Sequence, residues 1–316
     1  MWYFYNYFKA DGFDKLSNEI YMAFNNIFMG KEKNEIFTNE FKKKISKSNL
    51  PELFYDYYEL YITLNESERR KVYKAYKRNV CIERICSGNI IPIPYDKLNE
   101  NISKSLRKIF DYLYKEFTKI KVFKDEIGGL KKYYEDFFIK SNINKKLNCP
   151  FCGIQPLATS DDKHRPPFDH YLLESKYPFV SLLRKNLVPM CHDCNSNYKG
   201  VTDISDKKKV FFPFSDGIEN KLVYTNKKYK IISLENDKEI ESWNEIFDVE
   251  NRINNYAKLR ENGWLTSVVE TQIYTQISLE ESFELEILKK KNNNDFIAKS
   301  YLESINRYKD LNTVKN

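Results

Sequence analysis

All three histidines and four of the six cysteines of this 316-residue chain fall between Cys149 and Cys194. These are the side chains that hold soft metals and move protons near neutral pH. Cys149-Pro-Phe-Cys152 and Cys191-His-Asp-Cys194 have the spacing of a four-thiolate zinc site. Two intervening residues let both sulfurs of a knuckle reach one ion, and two knuckles complete a tetrahedron. With every position taken by protein, the ion is structural. The 38 residues between the knuckles become a loop clamped at its base, and in so short a segment metal binding supplies much of the folding free energy. His192 competes by position, but four thiolates already suffice, and it reads as a partly exposed knuckle residue. Cys81 and Cys86 lack the paired spacing and read as core packing. Inside the clamped loop lie Asp169-His170 and Asn186, and Asn195 directly follows the closing cysteine.

Each of those last four residues is commonplace alone. Their combination is not. Phe168-Asp-His-Tyr-Leu-Leu-Glu-Ser-Lys-Tyr-Pro178 and Asn186-Leu-Val-Pro-Met-Cys-His-Asp-Cys-Asn-Ser-Asn-Tyr-Lys-Gly200 resemble the bacterial HNH, or ββα-metal, nuclease family. The likeness spans about 50 of the 316 residues. It implies a strand carrying Asp169-His170, a second strand after Asn186, and a helix opening at Asn195. Asn186 would brace the loop and orient the histidine. The family's third motif residue is often His; Asn195 in its place favours hard Mg²⁺ or Mn²⁺ over softer ions. Asn197 is an alternative ligand, although Asn195, next to the cysteine, matches the family pattern. The resemblance further implies a DNA substrate, double-stranded, and a role in antiphage defence or restriction, sometimes beside a partner ATPase or sensor.

The chemistry follows from the residues as well. Phosphodiester hydrolysis needs an attacking water, a base to deprotonate it, and positive charge at the transition state. His170 carries the one side-chain type here whose ordinary pKa lies near working pH, so it is the expected general base. Asp169 and Asn195 offer two hard oxygen ligands, which suits a catalytic Mg²⁺ or Mn²⁺ that keeps waters and accepts substrate phosphate oxygens. Lys199, about a turn beyond Asn195, is expected to contact phosphate. His164 and Arg165 could line a groove or simply form a turn and a surface charge. Asp161-Asp162 reads as a solvated turn. A zinc-stabilised scaffold that binds nucleic acid or protein without cutting is the competing reading of the whole set.

The elements that must position this chemistry give an α+β chain, mostly helical. Residues 1–145 form a helical N-terminal region, 146–202 the ββα-metal module, and 203–316 a mixed C-terminal region of a hairpin plus helices. Asn49-Leu-Pro-Glu52 starts one helix, with Leu53, Tyr57, Leu60 and Leu64 at helical spacing. Asn65-Glu-Ser-Glu68 caps a basic helix running to about Arg84. Leu98, Ile102, Leu106, Ile109, Leu113 and Phe117 stripe a third, over 97–120. Strands are expected near 168–173 and 187–190, and a hairpin over Lys221–Leu234 turning at Asn226–Lys228. Helices are expected over 242–262, closed by Gly263, and over 295–309, with Lys289–Asp295 a solvated loop.

Hydrophobic residues make up 41% and aromatics 16%, which excludes a wholly disordered chain. Lys and Arg exceed Asp and Glu by 52 to 45, giving +7, compatible with a polyanionic partner without demanding one. The basic stretch Arg69–Arg84 and Lys207-Lys-Lys209 could meet phosphates or serve as solvated faces. No apolar run reaches bilayer length, and the aromatic start Met1-Trp-Tyr-Phe-Tyr lacks the pattern of a secretory signal. The expectation is a cytoplasmic protein with no membrane partner, where paired Cys-x-x-Cys motifs hold metal rather than form disulfides.

Overall fold

The computed structural model describes residues 1–8, 11–115, 124–125, 128–141, 148–158, 162, 168–215, 220–233, 237–293 and 295–313. Asp161, His164, Arg165, Phe117 and the expected boundary at 145 lie outside the described residues.

The N-terminal half is helical, as its apolar periodicity demands: α1 Asp11–Phe28, α2 Asn39–Ile45, α3 Leu50–Thr63, α4 Glu66–Asn79, α5 Ile82–Cys86, α6 Glu100–Lys115 and α7 Gly129–Lys140. Pro51 sits in the first turn of α3, where its missing N–H costs nothing. The buried stripe of α3 is Leu50, Phe54, Tyr57 and Tyr61, with Leu53 and Leu60 only partly buried. The larger aromatic rings have taken the core-facing side. Asn65 and Glu68 form a reciprocal capping box at the start of α4. The basic helix ends at Asn79 rather than near Arg84, because Asn79 is buried and turned to the backbone of Ile93 and Pro178. In α6 the expected stripe Ile102, Leu106, Ile109 and Leu113 is buried, joined by Phe110, and it packs on α3.

Sheet is scarce. β1 Asp169–His170 pairs antiparallel with β2 Leu187–Val188, placing Asp169 opposite Val188 and His170 opposite Leu187. A seven-residue π-helix, Asp193–Lys199, follows. β3 Lys221–Thr225 and β4 Lys228–Ile232 form the expected hairpin. Its turn residues, Asn226 (φ 50°) and Lys227 (φ 60°), are both left-handed, as a two-residue turn matched to strand twist requires.

The C-terminal helices are α8 Asp237–Phe247, α9 Val249–Lys258, α10 Glu261–Thr275, α11 Leu279–Asn292 and α12 Phe296–Thr313. Two expectations fail here. Gly263 lies inside α10 instead of closing a helix; left-handed Asp248 (φ 49°) makes the break earlier. Lys289–Asn292 are the last turn of α11, not a loop, because Ser278 and Glu281 cap its start and the basic residues complement its C-terminal dipole.

A single apolar core runs through all three stretches of sequence. Trp2 packs on Trp243 and Phe296, and Tyr5 on Phe137 and Phe214. Among the described residues no helix is long and apolar enough to cross a membrane.

Candidate functional site

The two knuckles meet. The sulfurs of Cys149, Cys152, Cys191 and Cys194 all lie within 4.8 Å of one another, and all four residues are buried. Cys152 Sγ and Cys191 Sγ are 3.8 Å apart. That is too long for a disulfide of about 2.05 Å, and it matches the edge of about 3.8 Å that a tetrahedron with Zn–S bonds of about 2.3 Å requires. Backbone N–H groups point at the sulfurs, Ile154 N to Cys152 Sγ and Cys191 N to Cys149 Sγ, each at 3.4 Å. Four thiolates holding one Zn²⁺ would carry two net negative charges, and Arg252 stands where it would offset them: Nη1 lies 3.3 Å from Cys194 Sγ while the guanidinium stacks over Tyr198 at 3.9 Å. The donor set therefore fits a zinc ion. Gly153 closes the first knuckle at φ 72°, and a Cβ there would stand 2.2 Å from Phe296 Cζ, so this turn needs glycine. His192 stays exposed, outside the sulfur cluster.

From this base the chain runs through β1 into the loop 171–186 and back through β2. Asn186, fully buried, holds the loop's neck. Its Oδ1 accepts from Leu172 N at 2.7 Å, and its Nδ2 donates to Leu172 O at 2.9 Å and Val180 O at 3.2 Å. One residue beyond Val180, the carbonyl of Ser181 lies 2.9 Å from His170 Nε2. A carbonyl can only accept, so the ring proton sits on Nε2 and Nδ1 carries the lone pair. Nδ1 meets no hydrogen-bond partner among the described residues. Burial pushes the imidazole down to about 4, with Lys199 adding to the effect against the Ser181 carbonyl, so the ring is neutral at pH 7. The Tyr114 ring of α6 lies 5.5 Å away.

Asp169 is buried beside it and does not stand open. Lys199 Nζ lies 3.1 Å from Oδ1 and 3.0 Å from Oδ2, and donates also to His170 O at 3.1 Å. Burial pushes the Asp169 carboxyl up, and the Lys199 ammonium offsets only part of that. The lysine expected to meet phosphate thus has a side chain with no exposed surface, turned inward on the carboxylate. Asn195 lies in the π-helix, where its N–H bonds Cys191 O and its carbonyl accepts from Gly200 N, five residues on. The Asn197 amide is tied to Asp193 Oδ1 at 3.0 Å on the exposed side. Among the described residues, the four cysteines are the one group of three or more His, Cys, Asp or Glu side chains that could hold a metal. Asp169 and Asn195 would supply two oxygens at most.

Residues far outside the motif grip the loop. Arg107 Nη1 bonds Ser175 O, Tyr95 N bonds Lys176 O, Asn79 Nδ2 bonds Pro178 O and Tyr21 Oη bonds Phe179 O. On the outgoing side, Asp203 takes Lys176 Nζ at 2.6 Å and Tyr177 Oη at 2.7 Å. Sequence reasoning missed Arg252, Asp203 and these N-terminal contacts. The capping pattern Asp203-x-Ser205 was legible, but partners 26 to 158 residues apart leave no local signal.

No family model matches the chain, and no solved structure matches it. It is similar to protein ea31 of Escherichia phage lambda, with 32% identity over 130 residues. The match covers 41% of this chain and 33% of that protein, so the chain spans about a third of its relative's length.

Proposed function

We propose that this protein is a metal-dependent endonuclease of the HNH type that hydrolyses phosphodiester bonds in DNA, acting in antiphage defence or restriction. The observation that carries the reading is the 2.9 Å contact between His170 Nε2 and the Ser181 carbonyl. With Nε2–H committed to the Ser181 carbonyl, Nδ1, which meets no partner among the described residues, carries the lone pair that accepts a proton from a hydrolytic water. A Mg²⁺ or Mn²⁺ ion held by Asp169 and Asn195 would supply the positive charge for the leaving oxygen. The chain's own residues do the rest. The zinc knuckles fix the two ends of the loop, Asn186 fixes its neck, and Ser181 fixes the ring plane. His170 takes the water proton at Nδ1.

The test is incubation of zinc-loaded protein with plasmid, linear DNA and RNA across a Mg²⁺/Mn²⁺ series. Cutting of DNA that disappears in His170→Ala, with zinc content and folding intact, is the expected result. An equally active His170→Ala protein would remove the base from the mechanism.

One observation favours a second reading. Both oxygens of Asp169 face Lys199, as they would in a purely structural ion pair on a zinc-stabilised scaffold that binds nucleic acid or protein. That scaffold binds equally well after His170→Ala and Asp169→Ala and yields no products with any divalent ion. An effector that needs a partner ATPase or sensor is silent alone and cuts in complex, so the same assay is repeated on material pulled down from the native host.

A further inference from the structure

We propose that Lys199 is a resident counter-cation for Asp169, which keeps a divalent ion from settling on that carboxylate until a substrate phosphate arrives. This rests on the nuclease reading and concerns the regulation of the same site.

The geometry gives the ammonium no other task. It donates to Asp169 Oδ1 and to His170 O, each at 3.1 Å, and lies 3.0 Å from Asp169 Oδ2, which is buried and accepts no hydrogen bond among the described residues. The side chain has no exposed surface, and that of Asp169 retains 7%. An ammonium so placed has no surface open to solvent, yet it sets the charge of the site. Asp169 contributes −1 and Lys199 +1, so the pair is neutral before any ion binds. Hard divalent ions are held by anionic oxygens. An ion approaching Asp169 meets a like charge within a few ångströms, in surroundings where water screens little. A phosphodiester bound beside Asp169 would supply the missing anion, and ion and substrate would then bind together. Lys199 is accordingly a positioning residue: its buried ammonium acts through Asp169. It also spans from the end of the π-helix to β1, so the carboxylate is aimed even when no ion is present.

The experiment measures Mn²⁺ binding by electron paramagnetic resonance on the zinc-loaded full chain. A His170→Ala background prevents cutting, and binding is read with and without a DNA duplex. With Lys199 present, the duplex should tighten Mn²⁺ binding at least tenfold. In Lys199→Met, the affinity without duplex should rise at least tenfold and most of the duplex dependence should vanish. Equal Mn²⁺ affinity with and without duplex in the Lys199 protein overturns the proposal, as does an unchanged or weaker duplex-free affinity in Lys199→Met. Should Lys199→Met not fold, the duplex dependence of the Lys199 protein decides alone. The nuclease reading fails separately. A protein with His170 intact that cuts DNA but holds Mn²⁺ independently of duplex keeps that reading and loses this one. A protein that neither cuts nor takes up Mn²⁺ under any condition loses both.

Discussion

Asn186→Ala separates bracing from chemistry. The amide is fully buried and makes three hydrogen bonds, one from Leu172 N and two to the carbonyls of Leu172 and Val180. Truncation deletes all three and strands a buried N–H with two buried carbonyls. Each buried hydrogen bond contributes about 1 kcal/mol net, and stranding a partner adds to that, so the loss should total about 3–5 kcal/mol. At about 2–4 °C per kcal/mol for a large domain, the melting temperature should fall by about 10 °C. Asn186→Asp should do no better, since it keeps the acceptor for Leu172 N but turns an anionic oxygen toward two carbonyls. Thermal denaturation of the zinc-loaded proteins, followed by near-ultraviolet circular dichroism, gives the shift, and a colorimetric assay gives zinc content. His170→Ala should behave in the opposite way, melting near the wild type. A melting temperature for Asn186→Ala within about 2 °C of the wild type would refute the bracing argument, because three buried hydrogen bonds cannot be lost at so little cost.

Two further perturbations test the surroundings of the site. Arg252→Ala removes the guanidinium beside Cys194 Sγ; partners of metal ligands tune affinity by about 10- to 100-fold, so competition with a chromogenic chelator should show zinc held at least tenfold more weakly, and unchanged affinity would make Arg252 a packing residue only. Asp203 has its carboxyl held below the usual range: burial would raise it, but Lys176, Tyr177 and Ser205 together outweigh burial. A lowered carboxyl stabilises the fold above its unfolded pKa of about 3.9 and loses that contribution as pH falls through the folded value. The melting gap between wild type and Asp203→Asn should therefore be open at pH 7 and close below about pH 4; taken as a difference, it cancels any zinc loss common to both proteins, and a gap independent of pH would mean that the charge of Asp203 contributes nothing.

The readable parts of this molecule were those written locally. The two knuckles, the capping box at Asn65, the stripe of α6 and the hairpin at Asn226 each rest on residues within a turn or two of one another, and the structure has them all. The C-terminal helix boundaries were not legible. Gly263 resembles a terminator, yet the actual break uses an aspartate in a left-handed conformation. In the site, the grouping of Asp169 and His170 on one strand followed from adjacency. The turning of Lys199 onto Asp169 did not, because burial of a long cation depends on what else fills the space beneath the π-helix. A lysine after a Cys-Asn turn looks the same in sequence whether it points at solvent or at a carboxylate.

The flanking helices explain why this module is embedded in a chain far longer than its motif. The loop that orients His170 turns at Phe179, a non-glycine residue at φ 71°, a conformation that costs about 1 kcal/mol or more and persists only where surroundings enforce it. Here the enforcement comes from the N-terminal half. The Phe179 ring is fully buried, 5.1 Å from Phe24, 5.3 Å from Tyr76 and 5.6 Å from Phe110, while Tyr21 holds its carbonyl. Two residues later comes Ser181, whose carbonyl fixes the imidazole. The proton position on His170 is thus set through a chain of contacts reaching α1, α4 and α6. The four-cysteine cluster fixes only the base of the loop; its tip, and with it the ring, is held by side chains of the N-terminal half.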